Sequence, residues 1–87
     1  MPNWVIGDNT VVDCGGMFSD CTRTTCIVIN SGDGGGQVNV EMTVIDTAGR
    51  ELSHAVSFYI SPGDRKTASH DFVDFAATRV ECTAQPL

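Results

Sequence analysis

From Gln37 to Asp46 apolar and polar residues alternate without a break, with Val38, Val40, Met42 and Val44 on one face and Gln37, Asn39, Glu41 and Thr43 on the other. The same two-residue period returns between Glu51 and Ile60, where Leu52, His54, Val56, Phe58 and Ile60 share a face opposite Glu51, Ser53, Ala55, Ser57 and Tyr59. Both runs predict half-buried strands. The intervening Asp46-Thr47-Ala48-Gly49 predicts a short turn with Gly49 at positive φ, so the two strands form a hairpin. Ser61-Pro62-Gly63-Asp64 predicts a second tight turn, in which proline presets φ and glycine takes the left-handed position.

Three further strands follow from the same pattern. Thr24 to Asn30 carries Cys26, Ile27, Val28 and Ile29; Lys66 to Phe72 places Ala68, His70 and Phe72 together; Ala77 to Thr83 sets Val80 and Cys82 opposite Arg79 and Glu81. An initial strand is expected from Trp4 to Asp13, followed by an irregular connection over Gly15 to Asp20. Ser31-Gly-Asp-Gly-Gly-Gly36 reads as a flexible hairpin connection. No segment carries a helical period. Six or seven short strands with Gly/Pro turns predict one all-β domain over residues 1–87, built as two antiparallel sheets around a narrow core.

A chain of 87 residues buries only about 60% of its unfolded surface, so a crosslink, metal or partner contributes heavily to its stability. Four cysteines, Cys14, Cys21, Cys26 and Cys82, fit the disulfide reinforcement of small extracellular domains. Pairing Cys14 with Cys21 and Cys26 with Cys82 closes one short and one long loop, for which the chain-entropy relation gives about 2.5 and about 4 kcal/mol. Cys26 shares the phase of Val28, and Cys82 that of Val80, so both sulfurs are expected to turn inward and join. The alternatives are reduced thiols and a four-thiolate zinc site, although the paired C-x2-4-C knuckles of zinc sites are missing.

Five Lys and Arg against eleven Asp and Glu give a net charge of −6 and a pI near 4.4. That balance argues against binding nucleic acid, which needs converging cations to release counterions. Only Arg65 and Lys66 are adjacent cations, and they follow a turn. The acidic surface favours a basic protein partner; nucleic-acid mimicry is a weaker reading, because the acids are scattered. No stretch reaches the roughly 18 apolar residues that cross a bilayer, and the opening MPNWVIGDNT lacks the basic start and apolar stretch of a secretory signal. Cysteine usage points to an extracellular or cell-surface setting, and the cytoplasm is the alternative.

Val28-Ile29-Asn30-Ser31-Gly32, then Val38-x-Val40-x-Met42-Thr43-Val44-Ile45-Asp46-x-x-Gly49, then Ile60-x-Pro62-Gly63-Asp64 resembles the small prokaryotic immunoglobulin-like modules of the FxLYD and CARDB type. Met42 stands where the FxLYD pattern has Phe, Val44 where it has Leu and Ile45 where it has Tyr, while Asp46 is identical. The resemblance covers residues 24 to 83 and implies an immunoglobulin-like sandwich. It also implies an auxiliary surface or adhesion role, with no catalytic residues to transfer.

Catalytic and metal chemistry has few candidates. His54 and His70 lie on apolar strand faces near the phases of Cys26 and Cys82, yet packing roles are expected, and Asp71 falls on the opposite phase from His70. Asn30 and Asp33 offer oxygens to Ca²⁺ but lack a dense acidic series. The Gly32–Gly36 run has neither phosphate-loop nor dinucleotide spacing, and Ser57 and Ser61 have no nucleophile-elbow context. The expected function is noncatalytic recognition of a protein or surface ligand, with no catalytic, cofactor or metal residues assigned. A small Cys/His enzyme or metal protein, or an intracellular inhibitor or accessory subunit, is the alternative.

Overall fold

The turn at Asp46 shows how local chemistry sets the architecture. Gly49 takes a φ of 84°, and the Asp46 carboxylate accepts the Ala48 and Arg50 amides, each at 2.9 Å, while its second oxygen pairs with Arg50 Nε at 2.7 Å. These contacts hold the Asp46 carboxyl below the usual carboxylate range, with the Arg50 backbone N–H as the largest cause. The computed structural model describes residues Met1–Leu87. Its six strands are β1 (Trp4–Asp13), β2 (Cys21–Asn30), β3 (Gly36–Ile45), β4 (Glu51–Ile60), β5 (Arg65–Val73) and β6 (Arg79–Pro86).

All pairings are antiparallel, and they make two three-stranded sheets ordered β1-β2-β5 and β4-β3-β6. The all-β sandwich expected from the alternation is therefore the fold, with six strands. Val38, Val40, Met42 and Val44 are fully buried, as their phase requires, whereas Asn39 lies on the opposite phase. Leu52 departs from expectation: it shares the inward phase of β4 but stays 43% exposed, because β4 is an edge strand and Leu52 sits near its end. The Ser31–Gly35 connection also differs from the expected hairpin. It carries the chain from β2 in one sheet to β3 in the other.

Asn30 explains how that crossover is held. Its side chain is fully buried; Nδ2 donates to Gly34 O at 2.9 Å and Ile60 O at 3.1 Å, and Oδ1 accepts the Asn3 and Gly32 amides. Its backbone N–H bonds Asp64 O, and its carbonyl accepts Gly63 N–H, whose residue sits at a φ of 78°. Gly32 is obligatory here, since a Cβ would lie 2.1 Å from Met1 O. The Asn-x-Gly sequence thus fastens the start of β1, the crossover, the end of β4 and the β4–β5 turn.

Only 14 of 87 residues are buried, so the apolar layer alone is thin. Cys26, in the central strand of one sheet, is joined to Cys82 on the edge strand of the other across a Cα separation of 6.3 Å, inside the range a disulfide spans. This bridge fixes the two sheets through the middle of the main core cluster, which includes Val28, Val40, Met42 and Ile60. A second cluster of Val44, Phe72 and Phe75 closes one end. Phe75 reaches it from the β5–β6 loop, just after Asp74 at a φ of 58°.

Two outcomes test this construction. Cys26→Ser with Cys82→Ser should lower unfolding free energy by about 4 kcal/mol in urea titrations under oxidising conditions, given a 56-residue separation. Val40→Asp should destabilise by about 3 kcal/mol or more, whereas Asn39→Asp on the solvated phase should stay within about 0.5 kcal/mol.

Candidate functional site

Cys14 and Cys21 form the second disulfide, with Cα atoms 4.9 Å apart, and no cysteine is free. They close the β1–β2 connection at its base, where Cys14 N–H also bonds Cys21 O at 3.0 Å. Asp13 Oδ1 accepts the Gly15 amide at 2.8 Å, and Asp20 O accepts Asp74 N–H at 2.8 Å. Gly15 has no room for a side chain, because a Cβ would fall 2.5 Å from Ser19 O. The loop is pinned at its base on every side. At its tip Met17 and Phe18 are 90% and 95% exposed, and Val12 and Val73 on nearby strand ends are 53% and 69% exposed.

A cavity of about 290 Å³ opens beneath this loop, between Val11 and Asp13 of β1, Asp20 and Thr22 at the start of β2, and Ala77 and Thr78 before β6. Thr22 builds its wall. The hydroxyl donates to Phe75 O at 2.7 Å and accepts the Ala77 amide at 2.8 Å, which joins β2 to the β5–β6 loop. Asp13 and Asp20 are among the cavity's lining residues, so this end of the sandwich combines exposed apolar side chains with negative charge.

Metal chemistry finds no support at this end. The Cys14 and Cys21 sulfurs and an Asp71 carboxylate oxygen lie within 4.8 Å of one another, but the sulfurs are bonded as a disulfide and offer no thiolate. Asp71 instead forms a two-pronged pair with Arg23, at 2.8 and 2.9 Å, on the outer face. Hydrogen bonding to Arg23 holds the Asp71 carboxyl below its usual range and raises the guanidinium in turn. The calcium reading of Asn30 and Asp33 is overturned for Asn30, whose Oδ1 is buried and already accepts two amides.

The two histidines do meet. His54 on β4 and His70 on β5 come from opposite sheets and stack with ring centroids 3.6 Å apart and planes 9° from parallel, while His70 meets Phe72 edge-on at 4.6 Å. Both rings are thus packed against aromatic neighbours. Burial depresses the His70 pKa, the His54 charge lowers it further, and Asp71 opposes both. Ser57 lies on the outer phase of β4, opposite to His54, so no nucleophile and base are paired there. Sequence reasoning missed Met17 and Phe18. The available signal was two large apolar residues inside an eight-residue cysteine-closed loop, too short to hold a core of its own.

The fold and these contacts define a small disulfide-stapled β-sandwich with one loop pinned outward. The chain matches no protein-family model and no curated protein sequence. Among solved structures it is similar to a β-glucosidase, EmGH1, from Erythrobacter marinus, at 16% identity and a TM-score of 0.71. That match covers 98% of this chain but only 14% of the glucosidase chain. It is also similar to a DUF1425 family member from Shewanella sp. pv-4, at 13% identity and a TM-score of 0.68, covering 94% of this chain and 78% of that one. At these identities the likeness is one of fold.

The histidine stack has a pH signature. A group whose folded pKa is depressed binds fewer protons when folded, so its stabilisation is full above the unfolded value of about 6.5 and is lost as pH falls toward the folded value. Melting temperature should drop between about pH 7 and pH 5, and His70→Phe should flatten that drop. Parallel pH profiles for the two proteins would remove His70 as its source.

Proposed function

We propose that this chain is a noncatalytic, immunoglobulin-like recognition module that docks on a protein through the Cys14–Cys21 loop. The single observation carrying this reading is the near-complete exposure of Met17 and Phe18 on a loop whose base is fixed by a disulfide and three hydrogen bonds. Exposed large apolar residues cost solubility, and pre-fixing their loop lowers the entropy lost on binding. The partner offers an apolar pocket rimmed by Lys or Arg, complementary to Asp13, Asp20 and the net charge of −6. An anionic membrane surface is disfavoured by the same carboxylates.

The strand order supports the immunoglobulin-like assignment. β1-β2-β5 facing β4-β3-β6 parallels the A-B-E and C-F arrangement of immunoglobulin sandwiches, with an inter-sheet bridge from the second strand to the last. The resemblance to FxLYD and CARDB modules and the similarity to 14% of a glucosidase chain agree with a sandwich that serves larger assemblies. Complete pairing of the cysteines supports an oxidising, extracellular or cell-surface setting. The pairing also leaves no thiol for a Cys/His enzyme.

Photocrosslinking tests the assignment. A benzophenone amino acid in place of Phe18, in cells that produce the protein, should yield one dominant protein adduct, and the same probe at Thr67 on the outer face of β5 should not. Phe18→Ala should weaken binding to the protein so identified by about tenfold or more, with salt weakening it further. Equal labelling from both positions, or unchanged affinity for Phe18→Ala, would sink the loop as the contact.

A further inference from the structure

The two histidines belong to one cross-section of the sandwich, and its flanks are closed by different means. His54 on β4 is in register with Met42 on β3, and Met42 with Cys82 on β6; in the facing sheet His70 on β5 is in register with Thr24 on β2. Register partners share a face, so all five lie on the inner faces. Met42 and Thr24 are fully buried and meet at the centre, where Thr24 Oγ1 donates to Met42 Sδ at 3.5 Å. Beyond Met42, Cys82 is bonded to Cys26, the next inward residue after Thr24 on β2. On the other flank β4 and β5 are edge strands of opposite sheets and exchange no ladder hydrogen bond. There the two half-buried imidazoles close the layer by stacking at 3.6 Å. Apolar cover beside them is thin: Leu52 stays 43% exposed, and Lys66 reaches across to Phe58 with Nζ 5.9 Å from the ring.

The groups around the stack offer little to balance two positive rings. Its inward neighbours Thr24, Met42 and the disulfide-bonded Cys82 carry no charge, and the inward charge on β5 is Lys66, a further cation. Arg23 on β2, Glu41 on β3, Glu51 on β4, Arg65 on β5, and Arg79 and Glu81 on β6 all fall on the outer phases of their strands. Asp71 follows His70 directly but also lies on the outer phase, held by Arg23 at 2.8 and 2.9 Å. It favours a charged His70, yet burial and the His54 charge oppose that charge more strongly. Neutral rings stack, whereas two charged rings at this separation repel.

We propose that the His54–His70 stack is an acid-released latch: once both imidazoles are charged, β4 swings away from β5 and the sandwich opens on this flank alone, hinged at the Cys26–Cys82 bridge. The ladders within each sheet stay intact, because none crosses the flank. The Ser61–Asp64 turn, bonded to Asn30 through Gly63 N–H and Asp64 O, keeps β4 and β5 together at one end. Opening is therefore widest toward Leu52 and Phe72, and it wets Met42 at the foot of the stack. Such an opening is local and precedes unfolding of the whole domain. It turns the sandwich into a pH-responsive body whatever the β1–β2 loop binds.

Methionine oxidation reads the opening directly, because Met1 and Met17 are 92% and 90% exposed while Met42 is fully buried. In brief treatment with hydrogen peroxide, followed by peptide mass analysis, the oxidation rate of Met42 relative to Met17 should rise about tenfold from about pH 7.5 to about pH 5. Far-UV circular dichroism should stay unchanged over that range. His54→Phe and His70→Phe each keep an aromatic ring in the stack but remove the second charge, so in both the rise should shrink to within about twofold. In His54→Phe the His70 pKa followed by NMR should also move up, since the like charge beside it is gone. A Met42 rate that tracks Met17 across the range would overturn the latch. So would an undiminished rise in either Phe variant, which would trace the opening to something other than the charged pair. A rise that comes only with loss of the β-sheet signal would overturn it as well, because the whole domain would then be unfolding.

Discussion

Six hydrogen bonds converge on Asn30, and the connections at one end of the sandwich are arranged around them. Four use the side-chain amide, which spans Asn3, Gly32, Gly34 and Ile60, and two use the backbone, which meets Gly63 and Asp64. A buried amide with both oxygen and nitrogen satisfied adds stability and selects one arrangement, because any other leaves polar groups dry and unpaired. Three separate stretches of chain are thereby fixed relative to the end of β2. Neither an aspartate, which cannot donate, nor a leucine of similar size could replace it.

Asn30 and the Cys26–Cys82 bridge divide the work of joining the sheets. The amide holds the end where crossover and turn meet, and the disulfide holds the middle of the core. At the opposite end Thr22 does for the β5–β6 loop what Asn30 does for the crossover, accepting and donating through one hydroxyl. Thr24, also buried, directs its hydroxyl to His70 O and Met42 Sδ. The inward face of β2 thus reads Thr22, Thr24, Cys26, Val28, Asn30, with polar residues where loops must be caught and apolar ones where sheet meets sheet.

That division also explains what the sequence could reveal. β3 and β4 were legible because one face is buried and the other wet, and a period of two survives in the sequence; the cysteine phases likewise predicted the Cys26–Cys82 pair, between neighbouring or facing strands, and the structure places it between the sheets. β2 begins at Cys21, three residues before its predicted start, because Thr22 is buried through its hydrogen bonds and leaves no apolar signal. β6 starts at Arg79, two residues after the prediction, because Ala77 is held by Thr22 in a loop rather than in the ladder. Phe75 was invisible as a core residue, since its burial depends on the positive φ of Asp74. The outward loop was undervalued for a related reason: pattern reading assigns large apolar residues to the interior, and only packing shows that no interior is within reach of Met17 and Phe18.

The long axis of the sandwich, 47 Å, separates surfaces of different kinds. The Asn30 end is saturated with internal hydrogen bonds. The loop end projects Met17 and Phe18 over a carboxylate-lined cavity, held in place by a disulfide rather than by core. Along one flank runs β4, which pairs with β3 over ten residues without a shift and has no strand on its other side. Regular alternation and an open edge have one cause: an uninterrupted ladder needs neither bulge nor proline, and those are the features that blunt an edge.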